Sequence, residues 1–287
     1  LCIQGSYLPK LFPYSIEFAK ACRPKQYLKG CQTLSELLKA APDADTVLFN
    51  ATSAEKLINR EGSLALFDSK NSLEKASNGQ LQERINNKVD VQFLSANEAQ
   101  ELEPNLAPFH IGGVLYPNTY NTTNPSKLCQ LYAEHFQKNG GIFIRSDVKK
   151  IIPGKEIKIT TADTNHEFSS LVLAAGTASA NLLHTLGISI PLVSERGYHL
   201  EINNKSALTR PVSWANKSVF LTPMEQHTRV AGIAEFAHSN APQNEQKLKN
   251  LLGFAERMLG HELEPQTTWV GSRPSTPDSL PLIGPLV

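Results

Sequence analysis

The chain has 287 residues, of which 40% are apolar and 19% are charged. This composition excludes a disordered chain, a collagen and a coiled coil, and the length corresponds to about two domains of roughly 150 residues. Lys and Arg total 28 and Asp and Glu total 27, so the formal net charge is +1. That balance argues against a dedicated nucleic-acid-binding protein and supplies no polybasic segment for anionic lipid.

Hydrophobic periodicity predicts secondary structure along the whole chain. Ser95 and Glu98 form a capping-box signature, which starts a helix that ends before Pro104. The other predicted helices cover residues 14–23, 26–41, 71–86, 125–139, 178–186 and 243–259. The predicted strands cover residues 62–67, 89–94, 111–116, 142–145, 157–161, 170–176, 198–202, 218–222 and 229–232. Helices and strands alternate over 98–186, whereas 191–236 is mostly strand, which predicts an α/β layer domain interleaved with an antiparallel-sheet domain.

Several kinds of site are excluded by spacing. The four cysteines share no metal-binding or disulfide pattern, which predicts free thiols in a reducing, cytoplasmic compartment. The eight histidines are scattered, so we expect no metal site. No stretch approaches the ~20 apolar residues of a transmembrane helix. The chain also lacks a P-loop, a GxSxG turn and a GxGxxG dinucleotide fingerprint.

Both ends of the chain predict that it is the middle part of a longer protein. It starts with Leu1 instead of an initiator Met and has no signal segment. It ends inside the apolar run 280–287, which is typical of the edge of a buried element.

Three segments are candidates for chemistry. The predicted buried strand 170–176 ends in Ala174, Ala175 and Gly176, whose small side chains allow a phosphate or ribose to approach the backbone; the alternative is that they serve packing. In segment 196–199, a Gly after Arg predicts a bend beside Tyr198 and His199, with a surface turn as the alternative.

The third candidate is Arg273, which lies between a Gly-Ser pair and a Pro-rich stretch and follows Trp269. We interpret this stretch as a rigid loop. Arg binds carboxylate through two parallel hydrogen bonds, and a stiff loop lowers the entropy cost of binding. The alternative is an ordinary surface arginine.

Together these segments resemble the FAD-dependent oxidoreductases of the D-amino-acid oxidase superfamily, most closely its D-amino-acid dehydrogenase-like branch. The resemblance is strongest in residues 171–179, 186–188, 191–200, 221–224, 229–232, 235–237 and 269–284, and weaker in 21–24, 102–104 and 112–117. The last strong segment, with its Arg-Pro-Ser-Thr-Pro-Asp and Pro-Leu-Ile-Gly stretches, is similar to the final signature of the family.

The resemblance implies a mixed α/β fold in which a partial Rossmann-like FAD-binding domain is interleaved with a substrate domain built on a mixed, largely antiparallel sheet. The implied FAD-binding parts are 1–50, 118–190 and 271–287, and the implied substrate-domain parts are 51–117 and 191–270. The cofactor contacts that it implies are Val148, Ala174, Ala175, Gly176, Pro281, Ile283 and Gly284. Arg273 is implied to bind the substrate carboxylate, with Tyr198 and His199 in the substrate pocket.

The resemblance further implies an enzyme that oxidises an amino acid, expected to be a D-amino acid, by hydride transfer from Cα to FAD. The imino acid then hydrolyses to a keto acid and ammonia. No catalytic acid or base is implied, because the scheme depends on positioning. The electron acceptor would be oxygen or a quinone, the latter with peripheral association at the inner face of the plasma membrane. The alternatives are a glycine- or sarcosine-type amine oxidase, a tRNA-modifying flavoprotein, or a subunit without turnover.

Overall fold

The computed structural model describes residues 2–203 and 207–286. The α-helices are α1 (Leu8–Ala21), α2 (Pro24–Thr52), α3 (Lys70–Ser77), α4 (Gln80–Asn86), α5 (Ala96–Leu102), α6 (Pro125–Lys138), α7 (Ser179–His184) and α8 (Glu245–Leu259). The strands are β1 (Cys2–Ile3), β2 (Ile58–Asn59), β3 (Ser63–Phe67), β4 (Gln92–Ser95), β5 (Gly112–Tyr116), β6 (Asn121–Thr122), β7 (Lys150–Ile152), β8 (Ile157–Thr160), β9 (Asn165–Phe168), β10 (Val193–Asn203), β11 (Val212–Trp214), β12 (Val219–Pro223), β13 (His227–Phe236) and β14 (Pro265–Ser275).

Among the described residues, the largest sheet contains nine strands. Their order is β14-β10-β13-β12-β11-β3-β5-β4, and β1 also pairs with β13. The β1–β13 and β3–β11 pairs are parallel, and the other pairs in this sheet are antiparallel. The predicted mixed α/β fold with a mixed, largely antiparallel sheet is therefore confirmed. Smaller sheets join β2 to β6 and β7, β8 and β9 in order.

Helix α8 covers one face of the large sheet. Asn244 caps its first turn by accepting a hydrogen bond from the Lys247 backbone N–H, and Gly260 ends it in the left-handed conformation, with φ of 79°. Leu251 and Met258 are fully buried and lie about two helical turns apart on this helix, so a single apolar stripe faces the sheet. The core residues that the sheet contributes beneath this layer are Leu64, Leu66, Leu200, Ile202, Val212, Trp214, Val219, Leu221 and Val230.

The opposite face of the sheet is covered at its two ends. At the β3–β5 end, Phe67 and Val114 pack with Leu81 of α4 in a second core cluster. At the other end, Tyr14 of α1 packs with Phe236 of β13 in a third cluster. The candidate site described below lies on this face at the β14 edge of the sheet, on β14 and its neighbour β10.

Two predicted strands are not formed. Residues 142–145 and 170–175 adopt neither helix nor strand, and several of their apolar side chains are exposed: Ile142 is 81% exposed and Val172 is 87% exposed. A strand needs a neighbour that pairs with its backbone groups, and no other strand in the described part of the chain pairs with these segments. The strand predictions for both segments are therefore wrong in this structure.

The helices also differ from prediction in detail. The predicted helix 71–86 is divided into α3 and α4, because Gly79 between them has φ of −126° and ψ of −109°, outside the helical region. Helix α2 continues past the predicted end at residue 41, although Pro42 lies inside it. Its last turns are held by tertiary contacts, since Tyr120 donates a hydrogen bond to Asp45 at 2.6 Å and its ring packs edge-on against Phe49.

Candidate functional site

Arg273 lies on strand β14, directly opposite Glu195 of β10. The prediction of a rigid loop at this position was wrong: the pairing of β10 with β14 continues through Arg273 to Ser275, so the backbone here is held by a sheet ladder. The side chain is 61% exposed and lies within 3.6 Å of Glu195, measured from Arg273 Nη1 to Glu195 Oε1. Arg273 is thus a guanidinium on a rigid strand that is open to a ligand.

Two glycines leave room for long side chains on the sheet beside this guanidinium. Gly197 of β10 and Gly271 of β14 are direct partners in the ladder. A Cβ placed on Gly197 would lie 2.6 Å from Arg273 Nη2, and a Cβ on Gly271 would lie within 2 Å of the Trp269 indole. Both long side chains therefore lie flat over positions that only glycine leaves free. We call the face of β10 and β14 that carries Glu195, Gly197, His199, Glu201, Trp269, Gly271 and Arg273 the open face.

His199 packs against Trp269 on the open face. Their ring centroids are 4.9 Å apart and their planes are inclined by 22°, so the rings are stacked. Burial, and to a smaller extent the positive charge of Arg229, lower the pKa of His199 to about 4, against an opposing effect of Glu201. The imidazole is therefore neutral near pH 7. Together with Trp269, which is 54% exposed, it supplies an uncharged aromatic surface beside Arg273.

The predicted bend at Gly197 is present as an irregularity in the sheet. The register between β10 and β13 shifts between Gly197 and His199, as in a β-bulge. Because the β10–β14 ladder is regular across the same residues, the shift changes which β13 residues lie opposite His199 without disturbing Arg273.

The structure does not bring Tyr198 together with Arg273 and His199. Tyr198 is 1% exposed and lies on the α8 side of the sheet, because successive side chains of a strand point to opposite faces. Its hydroxyl donates a hydrogen bond to Glu235 at 2.6 Å, and Glu235 also pairs with Arg196 and Lys247. Burial raises the pKa of Tyr198 to about 12, with a further contribution from the hydrogen bond to Glu235. Tyr198 belongs to a buried polar network beneath the site.

The turn that was predicted to contact a cofactor lies next to the strand that carries Arg273. Residues Gly176–Ala178 form a single 3-10 turn that packs against β14. Ala174, Ala175 and Gly176 are exposed, and Gly176 has φ of 56°, a conformation that favours glycine. A Cβ on Gly176 would meet no atom within 4 Å, so the backbone of this turn is open to a ligand.

The remaining predicted cofactor residues are also exposed. Val148 is 37% exposed and lies in a segment without regular structure, so the predicted strand before it is absent. Pro281, Ile283 and Gly284 follow a turn in which the Leu280 N–H donates to Asp278 and the Ser279 N–H donates to the Thr276 carbonyl. The Tyr14 hydroxyl of α1 donates to the same Thr276 carbonyl at 3.1 Å, which ties this turn to the end of the open face.

Glu195 is the site residue that sequence reasoning missed. Its carboxylate is held by Ser275, whose hydroxyl donates to Glu195 Oε2 at 2.7 Å. The sequence contained a signal for it, because the alternation of a strand through Gly197 and His199 places Glu195 on the same face.

Comparison with known proteins identifies the class. A family model described as FAD dependent oxidoreductase matches residues 20–287. The D-amino-acid oxidase of Bradyrhizobium diazoefficiens is 29% identical, over 99% of this chain and 69% of its own length. The D-amino acid dehydrogenase of Vibrio vulnificus is 30% identical, over 67% of this chain and 49% of its own length, so the chain spans about half of that relative.

A solved structure supports the same class at the level of the fold. Glycine oxidase from Geobacillus kaustophilus has a TM-score of 0.75 and 20% sequence identity, with 86% of this chain and 67% of that chain covered. The chain belongs to the family of FAD-dependent oxidoreductases. Within that family it is similar to proteins named D-amino-acid oxidase and D-amino acid dehydrogenase. In the described residues, no helix combines the length and the hydropathy needed to cross a bilayer.

Proposed function

We propose that the protein oxidises an α-amino acid, with a D-amino acid as the expected substrate, to the imino acid, which water hydrolyses to a keto acid and ammonia. The observation that carries this proposal is Arg273, a guanidinium that is 61% exposed on the open face and stands on a rigid strand. The two named relatives support a D-amino acid as the substrate, because both are named for D-amino acids. The electron acceptor would be oxygen or a quinone.

FAD is the cofactor that the family implies, and the residues present fit it. The open backbone at Ala174, Ala175 and Gly176 would lie along the pyrophosphate and ribitol, because their small side chains leave room for a phosphate to approach. We propose Val148 on the adenine side, and Pro281, Ile283 and Gly284 leading toward the flavin ring. When bound, FAD supplies the hydride acceptor for the substrate Cα–H.

The residues of this chain would orient the substrate. Arg273 would bind the substrate carboxylate through two parallel hydrogen bonds, and its rigid strand lowers the entropy that such an arrangement costs. His199 and Trp269 would exclude water from one side of the bound amino acid, because both present uncharged ring surface. Catalysis through positioning requires no acid or base among these side chains.

Arg273→Ala tests this proposal in the full-length, flavin-loaded protein. Loss of a charged bidentate contact should raise the activation free energy that corresponds to kcat/KM by about 3 kcal/mol. This lowers kcat/KM for amino acids by roughly two orders of magnitude, mainly through a higher KM. Steady-state kinetics with a dye acceptor measure this change. Arg273→Lys should recover a small part of the loss, because Lys keeps the charge without the fork. A KM for amino acids near that of the wild type would show that Arg273 is not the carboxylate site.

Substrate choice is the part of the proposal that a screen decides. Dye reduction with D-amino acids, L-amino acids, glycine and sarcosine distinguishes the proposed activity from that of a glycine- or sarcosine-type oxidase. A yellow preparation with a flavin absorbance band that no amine bleaches would favour a subunit without turnover.

We propose that the protein lies in the cytoplasm, and at the inner face of the membrane if a quinone is the acceptor. The proposed division remains FAD-binding parts 1–50, 118–190 and 271–287 and substrate-domain parts 51–117 and 191–270.

A further inference from the structure

Glu195 and Arg273 form a charge pair on the open face. They are direct partners across β10 and β14, with Arg273 Nη1 3.6 Å from Glu195 Oε1. The Glu195 side chain is 24% exposed, and Ser275 holds its second oxygen at 2.7 Å. The Arg273 guanidinium lies over Gly197, which has no Cβ to displace it. The two charged groups therefore lie beside one another.

This arrangement has a consequence for any anion that Arg273 binds. A ligand carboxylate on the guanidinium would lie close to the Glu195 carboxylate, and like charges at such short range repel, particularly once the site is covered and water is excluded. A singly charged anion would therefore be bound more weakly than by an isolated arginine. Discrimination of this kind arises from a repulsive element beside an attractive one.

A zwitterion removes the repulsion. In an α-amino acid, standard bond lengths and the angle at Cα place the nitrogen about 2.5 Å from the carboxyl carbon. The two charges of the ligand are thus separated by a distance comparable to the 3.6 Å between Arg273 and Glu195. A carboxylate on Arg273 would direct the neighbouring ammonium toward Glu195 in a charge-assisted hydrogen bond.

We propose that Glu195 receives the substrate ammonium group, and that the Glu195–Arg273 pair selects zwitterionic amino acids over anions of the same shape that lack the amine. This inference rests on the proposed function, since it assigns the second half of the same substrate. It also predicts that a keto-acid product, which has no ammonium group, leaves the site readily.

The test is equilibrium binding to the full-length, flavin-loaded protein under anaerobic conditions. The probes are alanine and lactate, each as both enantiomers, because they match in size and differ in the ammonium group. The flavin is reduced beforehand, so that alanine cannot transfer a hydride to it, and binding is measured as the tryptophan fluorescence change that a Trp269→Phe variant loses. The wild type should bind alanine at least about tenfold more tightly than lactate of the same configuration. Glu195→Gln should weaken alanine, strengthen lactate and reduce that ratio to about threefold or less.

Two further variants separate the possible explanations. Glu55→Gln is the control, because Glu55 also pairs with an arginine, with Arg60 Nε 3.0 Å from Glu55 Oε1, but lies outside the open face. It should leave the ratio unchanged. Arg273→Ala should weaken both probes. If Glu195 only positions Arg273, then Glu195→Gln changes both probes by the same factor, and an unchanged ratio overturns the inference.

Failure of the proposed function has a different outcome. If the wild type neither binds nor oxidises any amino acid of the screen, the assignment of an amino acid substrate is wrong, and this inference falls with it. If alanine is oxidised and Arg273→Ala abolishes the activity while Glu195→Gln keeps the alanine-to-lactate ratio, the proposed function stands and only the role of Glu195 is refuted.

Discussion

Gly197 and Gly271 show how single residues shape the open face. Each lacks the Cβ that would collide with a long side chain on the neighbouring strand, so Arg273 and Trp269 lie flat over the sheet. Neither glycine is needed for a left-handed backbone, because neither has a positive φ. The glycines thus provide space for side chains, which is a role that backbone conformation alone would not reveal.

Gly197→Ala should impair substrate binding more than folding. The new Cβ would lie 2.6 Å from Arg273 Nη2, and the guanidinium, as the far end of a flexible side chain, can move away at little cost in stability. KM for the amino acid should rise about tenfold, equivalent to ~1.4 kcal/mol, with a small change in Tm. Gly253→Ala in α8 is the control, since a Cβ there meets open space. It should leave KM unchanged and raise Tm slightly, because Ala is favoured over Gly in helices. Equal KM values for both variants would contradict the proposed role of Gly197.

At the scale of elements, α5 is the helix whose start was predicted most completely. The Ser95 hydroxyl accepts a hydrogen bond from the Glu98 backbone N–H at 3.3 Å, and the Glu98 carboxylate accepts one from the Ser95 backbone N–H at 2.7 Å. Both partners are close in sequence, so the motif needs no distant contact to form. Segment 170–176 shows the opposite case, because a strand depends on partners that lie elsewhere in the chain.

Ser95→Ala should lower the free energy of unfolding by about 1 kcal/mol, since the Glu98 backbone N–H loses the hydroxyl that accepts its hydrogen bond. Urea denaturation followed by circular dichroism measures the change, and Ser95→Thr should restore most of the stability. Ser69→Ala is a comparison: Ser69 caps α3 through the Ser72 N–H, and the third residue of that helix is Ser72 instead of the Glu of a capping box. Its effect should be smaller, and a larger effect would show that the reciprocal bond in α5 contributes nothing.

At the scale of the whole molecule, the buried His110 and the half-buried His199 make stability depend on pH. His110 is 7% exposed, and neither of its ring nitrogens has a hydrogen-bond partner among the described residues. Burial lowers its pKa below the ordinary 6.5, and the pKa of His199 is lowered to about 4. Below pH 6.5 the unfolded chain therefore binds more protons than the folded chain, so stability falls as the pH falls toward 4.

His110→Phe should flatten this dependence between pH 7 and pH 5. The substitution removes a group that must stay neutral while buried, and it sacrifices no hydrogen bond, so stability at pH 7 should change little. Urea midpoints at pH 7, 6 and 5 measure the slope. Leu106→Val, at a similarly buried position of the main core, should lower stability by about 1 kcal/mol equally at each pH. Parallel curves for His110→Phe and the wild type would exclude His110 as a source of the dependence.

The sequence alone determined the features that depend on neighbours in the chain or on composition. These are the capping box at Ser95, the helix over Glu245–Leu259, the strands around β10 and β13, and the family, whose motifs are local stretches. Only the tertiary structure decided that Tyr198 is buried beneath the sheet, that Arg273 lies on a strand, and that Glu195 stands opposite it. Those facts depend on the register between two strands about 80 residues apart. Register is set by the pairing of the two backbones and by the packing of the face that they share. No single stretch of sequence contains that information.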